Sequence, residues 1–380
     1  MKNFKLVLLV LAVMVTISCM SFRRGVIVFN SNSKDEVIIT NELKALLEEK
    51  VKPKVVIRVS NPPANVTEAE KFNTYINSFE KVLIENGFTV RDRALLENLM
   101  RGGNTDYQTI REKIDTDIII DILSLEFNIP NPLKTYLNKT TNQIENFRSP
   151  GNYVDCRLAK LECRLTIVSK GQLGGMFTLY LSSCDGVDLE IVVNNELLRW
   201  GKTTSPKFYD NLTAPIFNED IPYFIHNLTQ ELINLLLKDF NDRLQEARSH
   251  YNAGDYTETQ SIITNLLAKD PGNCTLYLYQ ALLDAHRGDF VKANQNLETA
   301  TQLASVWHQR AMVFYTYARV YALKNEKALA LSFLRKGLEN GLGKIKLEIR
   351  SDKDLASVSS SLEFESLLKE FEKTAAATKK

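Results

Sequence analysis

The chain has 380 residues, with 47 Lys and Arg against 46 Asp and Glu and a formal net charge of +1, a balance that argues against a nucleic-acid binder with a broad basic face. Hydrophobic residues make up 44% and charged residues 24%, ample for a real core, and the length suggests two or three domains.

Lys2 and Lys5 precede an apolar run over residues 6–15, followed by Thr16, Ile17, Ser18 and Cys19. A positive start, a short apolar stretch and a small residue before the cut make a secretory signal. The run is about a dozen residues, short of the roughly 20 that a spanning helix needs. Cys19 directly after Ser18 resembles the lipobox of bacterial lipoproteins, with Thr16 standing where that family usually has Leu or Val. The resemblance implies acylation of the Cys19 thiol and cleavage just before it. An ordinary cleaved signal, or an uncleaved anchor ending near Phe22, are the alternatives. Each buried methylene contributes about 0.8 kcal/mol, so two or three acyl chains would tether the protein firmly. No later segment is apolar enough to span as a helix. The expected location is the bacterial cell envelope, on the periplasmic side of the outer membrane.

From Val55 an α/β pattern emerges. Residues 54–59 read as a β-branched strand halted by Asn61, Pro62 and Pro63. Thr67 with Glu70 three residues on makes a capping-box signature. The helix it opens carries Phe72, Tyr75, Ile76, Phe79, Val82 and Leu83 at helical spacing and ends at Asn86-Gly87. Residues 88–90 are a short strand, residues 93–100 a helix closed by Gly102-Gly103, and residues 107–114 another helix. Residues 116–123 are nearly all apolar, as a strand buried on both faces should be.

Residues 128–153 are polar, contain Pro130, Pro132 and Pro150, and read as an excursion from the fold. Strands over 156–168 and 176–182 follow, joined by a long turn over 170–175. Residues 203–218 are loop-like, and 221–237 are an amphipathic helix with Phe224, Ile225, Leu228, Leu232 and Leu236 on one face.

The last third is helical and repeats. Gly254 and Gly288 lie 34 residues apart, each with Ala247 or Ala281 seven residues before it and Tyr256 or Phe290 two after. A third copy carries Ala318, Tyr321, Asn325 and Ala330. Gly254, Gly288 and Asn325 are expected at inter-helix turns, where φ > 0 is easiest for Gly and Asn. The pattern resembles the tetratricopeptide repeat (TPR), whose period is 34 and whose crossing helices need small residues. The resemblance implies a groove that holds an extended peptide or partner helix. Tyr277, Tyr279 and Tyr315 are its candidate lining residues, although most aromatics at this spacing are expected in the inter-helix core. Residues 346–380 read as a helical cap, with a frayed tail from Thr374.

Chemistry is sparse. Gly171-Gln172-Leu173-Gly174-Gly175 lacks the Lys-Ser/Thr ending of a phosphate loop, and Gly341-Leu342-Gly343-Lys344 lacks its first glycine. His226, His250, His286 and His308 form no i, i+4 pair and read as helix-surface residues. Serine-nucleophile motifs are absent. Cys156, Cys163, Cys184 and Cys274 have no metal-type spacing; an oxidising compartment would permit a disulfide, but isolated buried thiols are the preferred reading. Asp117 and Asp121 share parity on an apolar strand, with Asp115 just before it. The expected arrangement is Asp117 at the strand edge and Asp121 in an internal ion pair, against an acid or ligand site with Arg91 or Arg93.

Val55-Val56-Ile57, Phe79 with Leu83, Gly87-Phe88-Thr89-Val90, Arg93 with Leu95-Leu96, and Asp117-Ile118-Ile119-Ile120 together resemble the curli-secretion lipoprotein (CsgG-like) family over about seventy residues. The resemblance implies a small α/β domain behind a lipidated N-terminus. In that family amphipathic hairpins build a secretion channel; residues 128–153 show little alternation and three prolines, which favours a relative that forms no pore. The expected organisation is a signal peptide (1–18), a lipidated segment (19–53), a CsgG-like α/β domain with a mixed sheet and flanking helices (54–238), an all-α TPR domain (239–345) and a C-terminal cap and tail (346–380). The expected function is a non-enzymatic envelope scaffold that recruits proteins or peptides through the repeats, with no cofactor, no metal and no catalytic residue. A homo-oligomer, in the form of a secretion or transport channel component, is the alternative.

Overall fold

The computed structural model describes residues 22–26, 35–101, 106–133, 135–138, 143–146, 154–183, 188–192, 198–202, 205–208, 213–214, 216–345 and 349–377. The signal segment, the lipobox and Cys19 lie outside them. An N-terminal mixed α/β region is followed by a helical C-terminal region. The chain forms two compact units, one of Met1–Lys44, Lys54–Leu83 and Val90–Ile233, the other of Ala45–Pro53, Ile84–Thr89 and Asn234–Lys380.

The strands of the first unit are β1 (Phe22–Val26), β2 (Glu36–Ile39), β3 (Val55–Val59), β4 (Val90–Arg91), β5 (Ile118–Leu133), β6 (Thr135–Asn138), β7 (Gln143–Asn146), β8 (Val154–Ile167), β9 (Gln172–Ser182), β10 (Asp188–Val192), β11 (Leu198–Lys202), β12 (Ser205–Phe208) and β13 (Thr213–Ala214). The larger sheet runs β2-β9-β8-β5-β3-β4, with β13 beside β8; a second sheet runs β12-β11-β10-β1-β6-β7. Strand β3 is parallel to β4 and β5, while β5, β8, β9 and β2 pair antiparallel. The helices are α1 (Asn41–Glu49), α2 (Val66–Glu85), α3 (Arg93–Arg101), α4 (Tyr107–Ile114) and α5 (Ile221–Leu236), of which α1, α2 and α5 cross the division between the units. Val55, Val56 and Ile57 are all buried, the mark of a strand covered on both faces. On one face Val56 and Ile119 pack with Leu96 of α3, Ile110 and Ile114 of α4, and Val168.

Several sequence expectations need correction. The segment 19–53, expected as a lipidated stretch ahead of the α/β domain, supplies β2 to the sheet edge against β9, with α1 after it. Gly174 and Gly175 lie inside β9, so the turn over 170–175 is shorter than expected. A Cβ on Gly175 would stand 2.8 Å from the Ile38 carbonyl oxygen and 2.9 Å from the Phe177 ring, so close strand packing, not a turn, requires this glycine. Helix α2 starts two residues earlier than the capping box implies. Its cap is Asn65, whose Oδ1 accepts the amides of Thr67 at 2.9 Å and Glu68 at 3.4 Å.

Residues 128–133 stay in the sheet instead of leaving it, for β5 continues through both early prolines and pairs Pro130 with Arg157 and Pro132 with Asp155, while Pro150 lies outside the described residues. The β3–β5 register ends at Val59↔Ile122, so beyond that point β5 is bonded to β8 on one side, where proline is tolerated. The register shifts between Glu126 and Ile129, where Asn128 has φ 64°. Its side-chain amide donates to the Ile216 carbonyl at 3.1 Å and accepts the Ile216 amide at 2.7 Å, replacing a backbone pair. The stretch 203–218, expected as loop, contains β12 and β13.

The second unit is built from α6 (Lys238–Ala253) and α7 (Tyr256–Lys269), α8 (Cys274–His286) and α9 (Phe290–Leu303), α10 (Trp307–Leu323) and α11 (Lys327–Glu339), then α12 (Ala356–Ser359) and α13 (Leu362–Ala377). Within each of the first three pairs the turn residue is left-handed: Gly254 at φ 84°, Gly288 at 80° and Asn325 at 63°. Asp255 and Asp289 directly follow the glycines and cap α7 and α9 by accepting the amides of Glu258 and Lys292. Ala247, Ala281, Ala293 and Ala318 are wholly buried, which lets helices cross closely. Three short 3₁₀ turns, Leu342–Lys344, Ile349–Ser351 and Lys353–Leu355, lead into α12. Leu342, Leu355, Val358, Phe364, Leu367 and Leu368 close the core against α10 and α11. Helix α13 runs to Ala377, past the expected start of the tail at Thr374.

Candidate functional site

In the first unit, register alone assembles a charged row. The β3–β5 pairing sets Arg58 beside Asp121, and the β5–β8 pairing sets Asp121 beside Arg164. Asp121 is 1% exposed, so its charge must be compensated where it stands. Arg58 donates through Nε at 3.0 Å and Nη2 at 2.6 Å, Arg164 through Nη2 at 2.7 Å, and the Ser60 hydroxyl at 2.6 Å. A carboxylate that accepts four such hydrogen bonds has little acceptor capacity left for a substrate. The internal ion pair expected of Asp121 is present, but its partners are not the arginines considered from sequence. Arg91 and Lys54 converge on Asp115, whose carboxyl is held below its usual range chiefly by the Lys54 hydrogen bond. Arg93 faces Asn77 and Glu80, and Glu80 is raised by burial. Asp117 accepts the Lys54 amide at 2.8 Å.

The second unit holds the denser cluster. Successive first helices of the three pairs each present polar side chains to one carboxylate, that of Asp354. Tyr251 of α6 donates to Oδ2 at 2.6 Å, His286 of α8 places Nε2 3.0 Å from Oδ1, and Arg319 of α10 donates to Oδ2 through Nε at 3.0 Å and Nη2 at 2.6 Å. Asp352, two residues away, accepts Tyr315 Oη at 2.5 Å and lies 3.2 Å from Arg319 Nε. The Arg319 guanidinium also stands 5.4 Å from the centre of the Tyr251 ring and 5.7 Å from that of Tyr315. The imidazole of His286 stacks on Tyr256 with centroids 4.1 Å apart.

Electrostatics follow from that geometry. Burial alone would raise the Asp354 pKa, yet the His286 hydrogen bond, the Arg319 charge and the Tyr251 hydroxyl together hold it down to about 2. Burial would lower Arg319, and the surrounding acidic groups raise it instead. Tyr251 and Tyr315 are raised, first by burial and then by the carboxylates they face. The cluster is therefore a fixed ion pair between an aspartate and an arginine, bracketed by neutral hydroxyls.

Of the residues proposed from sequence to line a groove, Tyr315 is buried in this cluster and Tyr279 is half-buried with its ring edge-on to Tyr251, centroids 5.8 Å apart. Tyr277 is half-buried two positions along α8. His286 corrects the reading of all four histidines as surface residues, since its side chain is 16% exposed. Arg319, Asp352 and Asp354 were not singled out for chemistry. The aspartates lie more than 30 residues beyond the arginine, and no local spacing marks the pairing.

Cys163 and Cys274 are free and buried, as expected, with burial pushing their thiols up to about 12 and about 11. Cys156 departs from the expectation of isolated thiols. It is disulfide-bonded, and its partner lies outside the described residues. Among the described residues no group of three or more His, Cys, Asp or Glu is placed to hold a metal ion, and no helix is long and apolar enough to cross a membrane. Compared with known proteins, the chain matches no family model, no curated protein and no solved structure.

Proposed function

We propose that this protein is a membrane-anchored envelope lipoprotein that acts as a protein-interaction scaffold through a tetratricopeptide-like array in its second unit, with a CsgG-like α/β domain nearer the anchor. The observation that carries the reading is the run of three helix pairs whose turns fall on Gly254, Gly288 and Asn325, the first two 34 residues apart. Stacked pairs of that period bury a continuous core and leave one inner face for a ligand. The tether is inferred from Lys2, Lys5, the apolar run and Cys19. The two clusters described above are saturated ion networks, a further reason to favour binding over catalysis.

Pull-down from envelope extracts tests the scaffold: a specific partner should be recovered by the whole chain and lost when residues 240–372 are removed. Metabolic labelling with a palmitate analogue tests the anchor, with label expected on the wild type and absent from Cys19→Ala.

A second reading, an oligomeric secretion or transport channel component, draws on the length of β5 and β8. Their 16 and 14 residues exceed the roughly 9–11 of a membrane-spanning strand. It predicts a large detergent-resistant oligomer and conductance in planar bilayers. A monodisperse monomer would end it.

A further inference from the structure

The first helices of the three pairs are bridged by a later segment of the chain itself. Three donors, Tyr251, His286 and Arg319, come one from each pair and meet on a carboxylate that belongs to none of the three. That carboxylate arrives on the 3₁₀ turn Lys353–Leu355, and Lys353 Nζ reaches the Asn252 carbonyl oxygen at 3.4 Å on the same side of α6. The turn is internally closed: the Asp354 amide bonds the Asp352 side chain at 2.9 Å, and the Leu355 amide bonds the Asp352 carbonyl at 3.1 Å. Just beyond it, Ser357 is tied to the Ala322 carbonyl at 2.7 Å, which fixes the start of α12 independently of the aspartates. A buried ion pair is a poor way to gain stability over apolar packing, whereas three spaced donors around one carboxylate make a specific recognition site.

We propose that residues 349–355 are a built-in ligand, filling in cis a cleft on α6, α8 and α10 that reads an aspartate-bearing segment of a partner, which enters by replacing them. The inference rests on the scaffold reading and names its ligand chemistry: a short acidic segment with one carboxylate for Arg319, Tyr251 and His286, a second two positions earlier for Tyr315, and a leucine-sized apolar residue directly after the first in place of Leu355. Because Leu355 is wholly buried, replacement needs an apolar side chain as well as the charge, which makes the site selective against simple anions.

The probe is a fluorescein-labelled peptide of this chain's own residues 349–358, titrated by anisotropy into the full chain. The Asp352→Asn, Asp354→Asn double variant should bind it at least tenfold more tightly than the wild type, whose cleft is filled. Adding Arg319→Gln to the double variant should abolish binding, and a peptide with both aspartates changed to Asn should not bind. Equal binding to wild type and variant, or binding indifferent to Arg319→Gln, overturns the proposal. Hydrogen exchange on the unmodified protein needs no folded variant. Amides of residues 352–355 should exchange at least tenfold faster than the central amides of α8 and α10, and exchange at the same rate would show that the turn opens only with the whole unit and overturns it. Failure of the scaffold reading is separable: peptide binding without any envelope partner leaves the cleft standing. A partner retained equally by Arg319→Gln leaves the scaffold standing and removes the cleft.

Discussion

Arg319 and Asp354 lie 35 positions apart and share two hydrogen bonds, 3.0 Å from Nε and 2.6 Å from Nη2, on a carboxylate that is 5% exposed. The pair joins the third helix pair to the turn that follows it, and Tyr251 and His286 extend the same bond network to the first and second.

Its pH dependence has a defined sign. The Asp354 pKa falls from 3.8 to about 2 on folding, so its contribution is fully present above the unfolded value and is lost as pH falls through the folded one. The shift corresponds to roughly 2 kcal/mol. Thermal unfolding of the wild type should lose stability between pH 4 and pH 2, and Asp354→Asn should be less stable at pH 6 but show a shallower loss over that window. Parallel acid limbs in the two proteins would contradict the assignment.

Asp121 should be far less replaceable than either of its arginines. Removing it loses four hydrogen bonds at once and leaves Arg58 and Arg164 without a counter-charge, and a single hydrogen bond to a charged group already contributes about 1.5–3 kcal/mol. Arg164 is 42% exposed, so Arg164→Ala should cost about 1 kcal/mol or less in the same denaturant titration.

The turn residues separate backbone from packing effects. No atom lies within 4 Å of a Cβ built on Gly254 or Gly288, so Ala at either site meets only the cost of a left-handed backbone, about 1–2 kcal/mol. Asn325→Gly should be neutral or slightly stabilising at φ 63°, while Asn325→Ala should destabilise, both read by chemical denaturation.

Thiol chemistry is a fourth check. Peptide mapping without reductant should find Cys156 in a disulfide, and Cys163 and Cys274 alkylated only after unfolding. Cys184 is the expected partner, because β8 and β9 pair Leu158 with Ser182 and each cysteine stands two positions further out in the sequence. Linkage of Cys156 to another cysteine would rule out that pairing.

Local patterning was legible where the physics is local. The helix over Tyr107–Ile114, the apolar strand beginning at Ile118, the helix over Ile221–Leu236 and the turns at Gly254, Gly288 and Asn325 all follow from periodicity and left-handed backbone preference. Residues 128–133 misled because their prolines disfavour a central strand, and only the pairing partners show that this part of β5 is bonded on one side. Gly174 and Gly175 misled for the converse reason, since a glycine demanded by a neighbouring strand looks the same in sequence as one demanded by a turn.

The sequence by itself determined the order of an α/β region before a helical one and the rhythm of the helix pairs, because each depends on residues within a few turns of one another. Tertiary structure decided which charges meet. Asp121 takes Arg58 and Arg164 through strand register, and Asp354 takes Tyr251, His286 and Arg319 through the return of a turn across three helices. Coulombic and hydrogen-bond partners across 35 to 103 residues leave no periodic trace, so the feature that most constrains how this protein could bind is the one its linear sequence does not display.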